Sequence, residues 1–319
     1  MFRSFFIYLS KAAWARNIVT KWSFAWRMAS RFIAGEKLAD GIEVIKQLNS
    51  KGINATLDHL GEHTDSPDKA RQATLDIVEA FDAIEQAGVR ANVSVKLTQL
   101  GLGVSDDLCL ENLGIILDRA KRNNSFVRID MEDSAVTQRT LDILCDLRQQ
   151  GYENVGIVIQ AYLIRSEDDI RKLLGDCYKI RLCKGAYKEP ASVAYQNMKE
   201  VNANYDRCSV LLIDGALSKD CPLVSSDGKI PPIPGIATHD PERIDFAKAY
   251  ADKVSLPKNA LEFQMLNGIR RDLQEQLVKE GYWVRVYVPY GTEWYPYYMR
   301  RLAERPANLW FFISNFFRQ

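Results

Sequence analysis

The chain has 319 residues, 47% of them hydrophobic and 26% charged, with 42 lysines and arginines against 41 aspartates and glutamates for a net charge of +1. That balance excludes a disordered, collagen-like or mucin-like chain, and it leaves no overall field that would seek out nucleic acid. Length alone allows two average domains or one barrel of about 250 residues, and either has enough chain for a sizeable core.

The chain opens on a basic, aromatic arm. Before Gly35 it carries Arg3, Lys11, Arg16, Lys21, Arg27 and Arg31, no acid, and Trp14, Trp22, Phe24 and Trp26. Such a segment fits a basic amphipathic helix on an anionic membrane, a targeting presequence, or a helical arm packed on its own barrel or on another subunit. A cleaved secretory signal is excluded, because lysines and arginines interrupt every apolar run. No stretch approaches the roughly 20 uncharged apolar residues of a membrane span. Six cysteines (Cys109, Cys145, Cys177, Cys183, Cys208, Cys221) stand singly, without C-x-x-C or histidines at ligand spacing, so they read as reduced thiols and no metal is expected.

Beyond the arm, short β-branched runs alternate with segments of helical period, the pattern of βα repeats around a parallel sheet. Strands are predicted over 54–58, 92–97, 126–130, 155–160, 179–182, 233–238, 261–265 and 283–288. Between them lie helix signals: Ser66-Pro67 as cap and first position with Gly88 closing, Ser166 with Asp169 as a capping-box-like start, and Asp240-Pro241 opening PERIDFAKAY. Eight such units predict a (βα)8 barrel, while the competing open sheet loses support because no G-x-G-x-x-G follows the first strand. Residues 218–234, rich in proline, read as a long surface loop.

Active sites of such barrels lie at the C-terminal ends of the strands, and polar residues cluster there. Asp58 to Glu62 follow the first strand, Lys96 lies in the second, and Asp130-Met131-Glu132-Asp133 and Gln160-Ala161-Tyr162 end the third and fourth. Arg181 lies in the fifth, with Lys184-Gly185-Ala186-Tyr187 after it; Thr238-His239-Asp240 end the sixth, Glu262 and Gln264 mark the seventh and Tyr287 the eighth. Singly, each has a structural explanation: Lys96 pairs with Asp130, His239 is a satisfied imidazole, and Arg300 with Glu304 at i, i+4 is a helix-surface pair. Together they meet two needs at one end of the barrel. Lys184-Gly185-Ala186 and the start of the Asp240 helix suit a pyrophosphate, and adjacent Arg300 and Arg301 suit a small carboxylate.

The strings LGEH (60–63), SVKLTQLG (94–101), IDMED (129–133), QAY (160–162), RLCKGAY (181–187), ATHD (237–240), EFQML (262–266) and YVPYGTEWYPYYMRRLAE (287–304) resemble, in order and spacing, the FAD-dependent proline dehydrogenases. The likeness is to the stand-alone bacterial type and not to the bifunctional proline utilisation A proteins. It implies an α/β fold, a distorted (βα)8 TIM barrel with an N-terminal helical arm (1–50), a catalytic barrel (51–308) with its last helix over the mouth, and an apolar tail (309–319). The implied reaction is oxidation of L-proline to Δ1-pyrroline-5-carboxylate, the first step of proline catabolism, with hydride passing to FAD and electrons to a quinone. A separate pyrroline-5-carboxylate dehydrogenase would act downstream. The location would be cytoplasmic, with the arm's contact at the inner membrane face and a homo-oligomer left open.

Carried over by position, Lys96, Arg300 and Arg301 would clasp the proline carboxylate, and Leu182, Tyr187 and Tyr287 would wall the ring. Arg181 would stand by the hydride-accepting flavin nitrogen, and Asp130, the position marked catalytic in the family, would hold Lys96. Glu62 would gate the site through Arg300. Met131, Gln160, Arg181, Lys184, Gly185, Ala186, Thr238 and His239 would bind FAD, and Asp240 departs from the family's usual asparagine. The alternatives are oxidation of 4-hydroxyproline or another cyclic amino acid, which the bulk of Tyr287 disfavours, and a non-catalytic proline-binding barrel.

Overall fold

In the computed structural model the described residues are 23–218 and 225–304, together with Leu9, Ala12, Trp14, Ala15 and Val19 of the arm. The predicted tail 309–319 and Cys221 lie outside them. Helices α1 (Ser23–Ala29) and α2 (Leu38–Ser50) precede the repeat β1 (Asn54–His59), α3 (Pro67–Gln86), β2 (Ala91–Val95), α4 (Asp106–Arg122), β3 (Val127–Ile129) and α5 (Ser134–Gln149). It continues through β4 (Val155–Gln160), α6 (Ser166–Leu174), β5 (Ile180–Cys183), α7 (Met198–Ala216), β6 (Pro234–Ala237) and α8 (Pro241–Lys253). It ends with β7 (Glu262–Leu266), α9 (Arg271–Lys279), β8 (Trp283–Tyr290) and α10 (Trp294–Glu304). All eight strands pair in parallel and in sequence order, and β8 returns to β1 to close the barrel. Each predicted strand is present, with ends displaced by a few residues; Lys96 falls just past β2 and not within it.

The helix signals act largely as read. Ser66 accepts the Lys69 amide, Pro67 is the first residue of α3, and Gly88 follows its end at φ +62°. Helix α6 differs: its cap position is Arg165, Ser166 is already helical and its hydroxyl donates to Leu163 O, and Asp169 is taken by Arg165 at 2.7 Å. A strong acid–guanidinium pair inside the first turn wins over a capping box there.

Period-two alternation sorts each strand's side chains between two environments. Ala55, Leu57, Val93, Val95, Ile129, Ile157, Ile180, Ile236, Phe263 and Val286 join the main apolar cluster with the helices. The alternate positions Thr56, Asn92, Ser94, Arg128, Arg181, Glu262, Gln264 and Arg285 are polar and almost fully buried. A barrel interior is ordinarily filled by bulky branched residues; here it is a hydrogen-bonded polar stack, and the apolar core lies in the shell outside it. Hydrophobic burial therefore stabilises the shell, while the interior is held by hydrogen bonds and by the Arg181–Asp130 and Arg285–Glu262 ion pairs, each of which needs both partners.

Two connections depart from a regular repeat. Helix α2 packs on β1 and β8, taking the outer position beside the closing strands and leaving α10 free to cross the mouth. The expected boundary at residue 50 therefore falls at the end of a helix packed against the barrel. Helix α10 buries Trp294, Tyr295, Tyr298, Met299 and Leu302 against Ala25, Met28, Ala29, Phe32, Ile33 and Leu60. Trp26 and Trp294 rings lie 5.4 Å apart, and the Tyr295 hydroxyl donates to Leu9 O at 3.0 Å. The described part of the arm thus packs on its own barrel, as one of the sequence readings has it, with Trp14 exposed.

The second departure corrects part of the reading of 218–234 as a surface loop, of which residues 219–224 lie outside the described residues. Ser226 and Asp227 are exposed, but Gly228, Pro231 and Pro232 are buried, because the segment tucks beneath the barrel. Gly228 O accepts from Arg285 at 2.5 Å and Lys229 O from Asn92 at 3.1 Å. Gly228 has φ +70°, and a Cβ there would lie 2.4 Å from Asn54 Nδ2, so only glycine fits. The cysteine reading also changes: Cys109, Cys145, Cys183 and Cys208 are free, whereas Cys177 is disulfide-bonded.

Candidate active site

A cavity of about 490 Å³ opens at the C-terminal ends of the strands, lined by Lys96, Asp130, Met131, Gln160, Arg181, Lys184, Gly185, Ala186, Tyr187, Thr238, His239, Tyr287, Arg300 and Arg301 among others. Of the predicted site residues, Glu62 and Leu182 are not in that lining: Glu62 reaches it only through Arg300, and Leu182 faces away. Arg181 points into the barrel, so its neighbour on β5 must point out, and Leu182 is fully buried in the apolar shell. Leu266, at the end of β7, does line the cavity.

The charges are paired in a definite order. Lys96 Nζ lies 3.7 Å from Asp130 Oδ2, the expected partner, and closer still, 2.8 Å, from Asp58 Oδ1, which the sequence did not point to as its partner. Burial would lower the Lys96 pKa, but the charges of Asp58 and Asp130 outweigh it and hold the ammonium above its ordinary range. Asp130 also joins two other groups: Oδ1 accepts from Arg181 Nη1 at 3.0 Å, and Oδ2 accepts from the Tyr287 hydroxyl at 2.7 Å. The Arg181 guanidinium sits 5.3 Å from the centre of the Tyr287 ring.

Across the mouth, Arg300 Nη1 donates to Glu62 Oε1 at 2.8 Å. Glu62 lies in the loop after β1; the Glu304 side chain, to which the i, i+4 spacing pointed, lies outside the described residues. Burial alone would raise the Glu62 carboxyl, yet the charge and hydrogen bond of Arg300 hold it below the usual range. The loop carrying Glu62 is pinned from below: His63 N donates to Thr98 Oγ1 and Thr64 N to Thr98 O, while Thr98 donates through its amide and hydroxyl to buried Glu132. Burial raises the Glu132 pKa, and the Thr98 hydrogen bonds act against it.

The other side of the cavity fits a dinucleotide. Oε1 of Gln160 is buried without a hydrogen-bond partner among the described residues, while its Nε2 donates to Met131 O at 3.2 Å; such an orphaned acceptor calls for a donor from a ligand. Gly185 has φ +116°, and a Cβ would overlap the Tyr162 ring at 2.2 Å, so the glycine lets the chain pass the ring at the cavity wall. Lys184 Nζ lies 2.6 Å from Asp240 Oδ2, and Asp240 Oδ1 accepts the Glu242 amide at the start of α8. Asp240 thus caps the helix and pairs with the lysine at once. His239 is a satisfied imidazole as well as a lining residue, since its Nε2 accepts the Leu266 amide at 3.0 Å.

A profile of the Proline dehydrogenase family matches residues 42–313. The chain belongs to the proline dehydrogenase family. It is 41% identical over 310 residues to proline dehydrogenase 2 of Bacillus subtilis, covering 97% of this chain and 96% of that one. It is also 41% identical over 293 residues to proline dehydrogenase of Deinococcus radiodurans, 91% of this chain and 90% of that one. Against the bifunctional protein PutA of Klebsiella aerogenes identity falls to 27%, and the chain spans 24% of that protein. Among solved structures, PutA of Bdellovibrio bacteriovorus inactivated by N-propargylglycine superposes with TM-score 0.78 at 28% identity, over 89% of this chain and 33% of that one. The family's eight-stranded barrel, read here from βα periodicity, is therefore the fold. Among the described residues, no helix is long and apolar enough to cross a membrane.

The residues that sequence reasoning passed over are those inside the barrel. Asp58 was noted only as a strand end, and Thr56, Asn92, Ser94 and Arg285 were not singled out. Their signal is the alternation itself: TLD, NVSVK, VRID and WVRVY place a polar residue at every second position, where a barrel strand with two buried faces should read almost continuously apolar.

Proposed function

We propose that this proline dehydrogenase oxidises L-proline to Δ1-pyrroline-5-carboxylate with non-covalently bound FAD as hydride acceptor and a quinone as the next acceptor. The observation that carries the reading is the convergence of Lys96, Arg300 and Arg301 on one cavity. Three cations around a space of this size suit a small carboxylate, and Arg300 is held by a carboxylate, Glu62, that a substrate carboxylate would replace. Proline's other end is an apolar ring, for which Tyr287, Tyr187 and Leu266 supply the walls.

When bound, FAD supplies a two-electron acceptor for hydride. Loss of hydride from the ring carbon beside nitrogen leaves a C=N bond, so the amine proton must leave first or concurrently, and the protein's main task is to hold the ring in place. Lys96, Arg300 and Arg301 would fix the carboxylate, and Tyr287 would close the ring's volume, which favours proline over 4-hydroxyproline. Arg181 would lend positive charge where negative charge accumulates, and Asp130 would order Arg181 and Tyr287 without acting as a base. Gln160, Met131, Lys184, Gly185, Ala186, Thr238 and His239 would hold the cofactor. The quinone, a separate downstream dehydrogenase for the product and contact with the inner membrane face rest on the family resemblance and the basic arm.

The test is the visible spectrum of the purified protein, recorded anaerobically before and after L-proline. A flavin band that bleaches supports cofactor and reaction together. A colourless protein, or a yellow one indifferent to proline after added FAD, would overturn the reading in favour of another cyclic amino acid or a non-catalytic binding barrel.

A further inference from the structure

The Arg181 guanidinium is held from several sides. Its Nη1 donates to Asp130 at 3.0 Å and to Ser94 Oγ at 3.1 Å, contacts close to the cavity. Two further bonds leave it at Nε and Nη2, one to Gln264 on the cavity wall and one to Thr56, and each continues toward the opposite end of the barrel. Through one, Nε donates to Gln264 Oε1 at 2.5 Å, and Gln264 Nε2 donates to Glu262 Oε1 at 2.6 Å. Glu262 in turn accepts two bonds from Arg285, at 2.9 and 3.0 Å, and Arg285 Nη2 donates to Gly228 O at 2.5 Å. Through the other, Nη2 donates to Thr56 Oγ1 at 3.3 Å, Thr56 donates to Asn92 Oδ1 at 2.6 Å, and Asn92 Nδ2 donates to Lys229 O at 3.1 Å. Both chains therefore end on adjacent carbonyls of the segment that closes the barrel base, and every residue whose side chain takes part is buried.

We propose that Gln264 and the Thr56–Asn92 pair are positioning residues for Arg181, fixing its guanidinium from below through two hydrogen-bond chains anchored on Gly228 and Lys229 at the opposite end of the barrel. The physical argument is geometric. Asp130 and Ser94 both bind Nη1, so they leave the guanidinium plane free to turn about that atom; bonds at Nε and Nη2 remove that freedom. Gln264 is itself fixed, because its oxygen faces a guanidinium and its nitrogen a carboxylate, so a flipped amide would oppose like groups on both sides. Thr56 has one orientation for the same reason: it accepts from a cation and gives its only proton to Asn92. Asp130 touches Arg181, Lys96 and Tyr287 together, whereas Gln264, Thr56 and Asn92 make no hydrogen bond to Lys96 or Arg300, so the support from below can be removed without touching the substrate clasp.

The inference rests on Arg181 standing beside the hydride acceptor, and the experiment separates the two. The FAD-loaded enzyme is compared as wild type, Thr56→Val, Thr56→Ser, Gln264→Met and Arg181→Met, reading the rate of flavin reduction by proline, the proline KM and the reduction potential of the bound flavin. Thr56→Val keeps the shape and removes the hydroxyl; Thr56→Ser keeps the hydroxyl. Expected are a fall of about tenfold in reduction rate for Thr56→Val and Gln264→Met, recovery to near wild type in Thr56→Ser, and an unchanged KM. The potential should fall in both deficient variants, and Gln264→Met should add nothing when combined with Arg181→Met. If Arg181→Met alters rate and potential while Thr56→Val and Gln264→Met alter neither, the positioning role is overturned. Equal loss in Thr56→Ser and Thr56→Val overturns it as well. If Arg181→Met itself leaves rate and potential unchanged, the reading of Arg181 fails first.

Discussion

Lys96, just past β2, and Asp58, on the neighbouring strand β1, form a buried ion pair of 2.8 Å at the pocket wall, with Asp130 standing farther off at 3.7 Å. The Lys96 side chain is 10% exposed and that of Asp58 1%, so neither can exchange its partner for bulk water. Removing one charge of such a pair strands the other. Asp58→Asn is expected to cost about 3 kcal/mol of stability and to raise the proline KM through a displaced Lys96. Urea unfolding and steady-state kinetics check both; a loss within about 0.5 kcal/mol, typical of a surface substitution, would assign Lys96 to Asp130.

The Glu62–Arg300 pair makes an opposite prediction. A substrate carboxylate must take Arg300 from Glu62, so Glu62→Gln should tighten proline binding, by about fivefold if the pair is worth about 1 kcal/mol. Because Glu62 titrates below its ordinary 4.5, the pair is complete above that pH and is lost only as pH falls through the lower folded value. The affinity gain should therefore be constant from neutral pH upward. A weaker affinity in Glu62→Gln would mean that Glu62 supports the pocket and does not compete for Arg300.

Arg301 and Tyr287 separate affinity from selectivity. Arg301→Met should raise the proline KM by about ten- to a hundredfold, the worth of a charge-assisted hydrogen bond, with the flavin still bound. Tyr287→Ser opens the ring wall and also removes the 2.7 Å bond to Asp130, so it should shift preference toward 4-hydroxyproline while lowering the turnover of both substrates. Relative kcat/KM for the two amino acids is the measurement, and unchanged selectivity would give that volume to another residue.

Lys179, 7% exposed, links the fold to pH. Burial first, then the charges of Arg128 and Arg148, push its ammonium from the ordinary 10.5 down to about 8. Between those values the unfolded chain binds a proton that the folded chain does not, so stability rises with pH across that window and carries the full penalty below it. Lys179→Met should stabilise the protein at pH 7 by up to about 3 kcal/mol, with the gain gone near pH 10.5. Melting temperatures of the two proteins that stay parallel from pH 7 to 10 would show that the lysine remains protonated throughout.

The βα rhythm, the capping of α3 by Ser66-Pro67 and of α8 by Asp240-Pro241, and the gathering of Lys96, Arg181, Arg300 and Arg301 at one end of a barrel are all legible from the chain, because period, caps and strand ends are local properties. Partner choice is not local. Lys96 could have met either acid; Asp58 takes it because β1 and β2 are adjacent and in register. Arg300 pairs with Glu62 across 238 residues of sequence, because α10 crosses the mouth instead of joining the outer ring. Leu182 looked like a pocket wall from its position in RLCKGAY, but the pleat that turns Arg181 inward turns it outward. The proline-rich segment before β6 has the composition of a surface loop, and only closure of the barrel shows that Gly228 and Lys229 offer their carbonyls to its interior. Spacing along the chain determined which groups reach the mouth; the register and closure of the sheet decided which of them touch, since hydrogen bonds and ion pairs depend on separations that only the folded backbone sets.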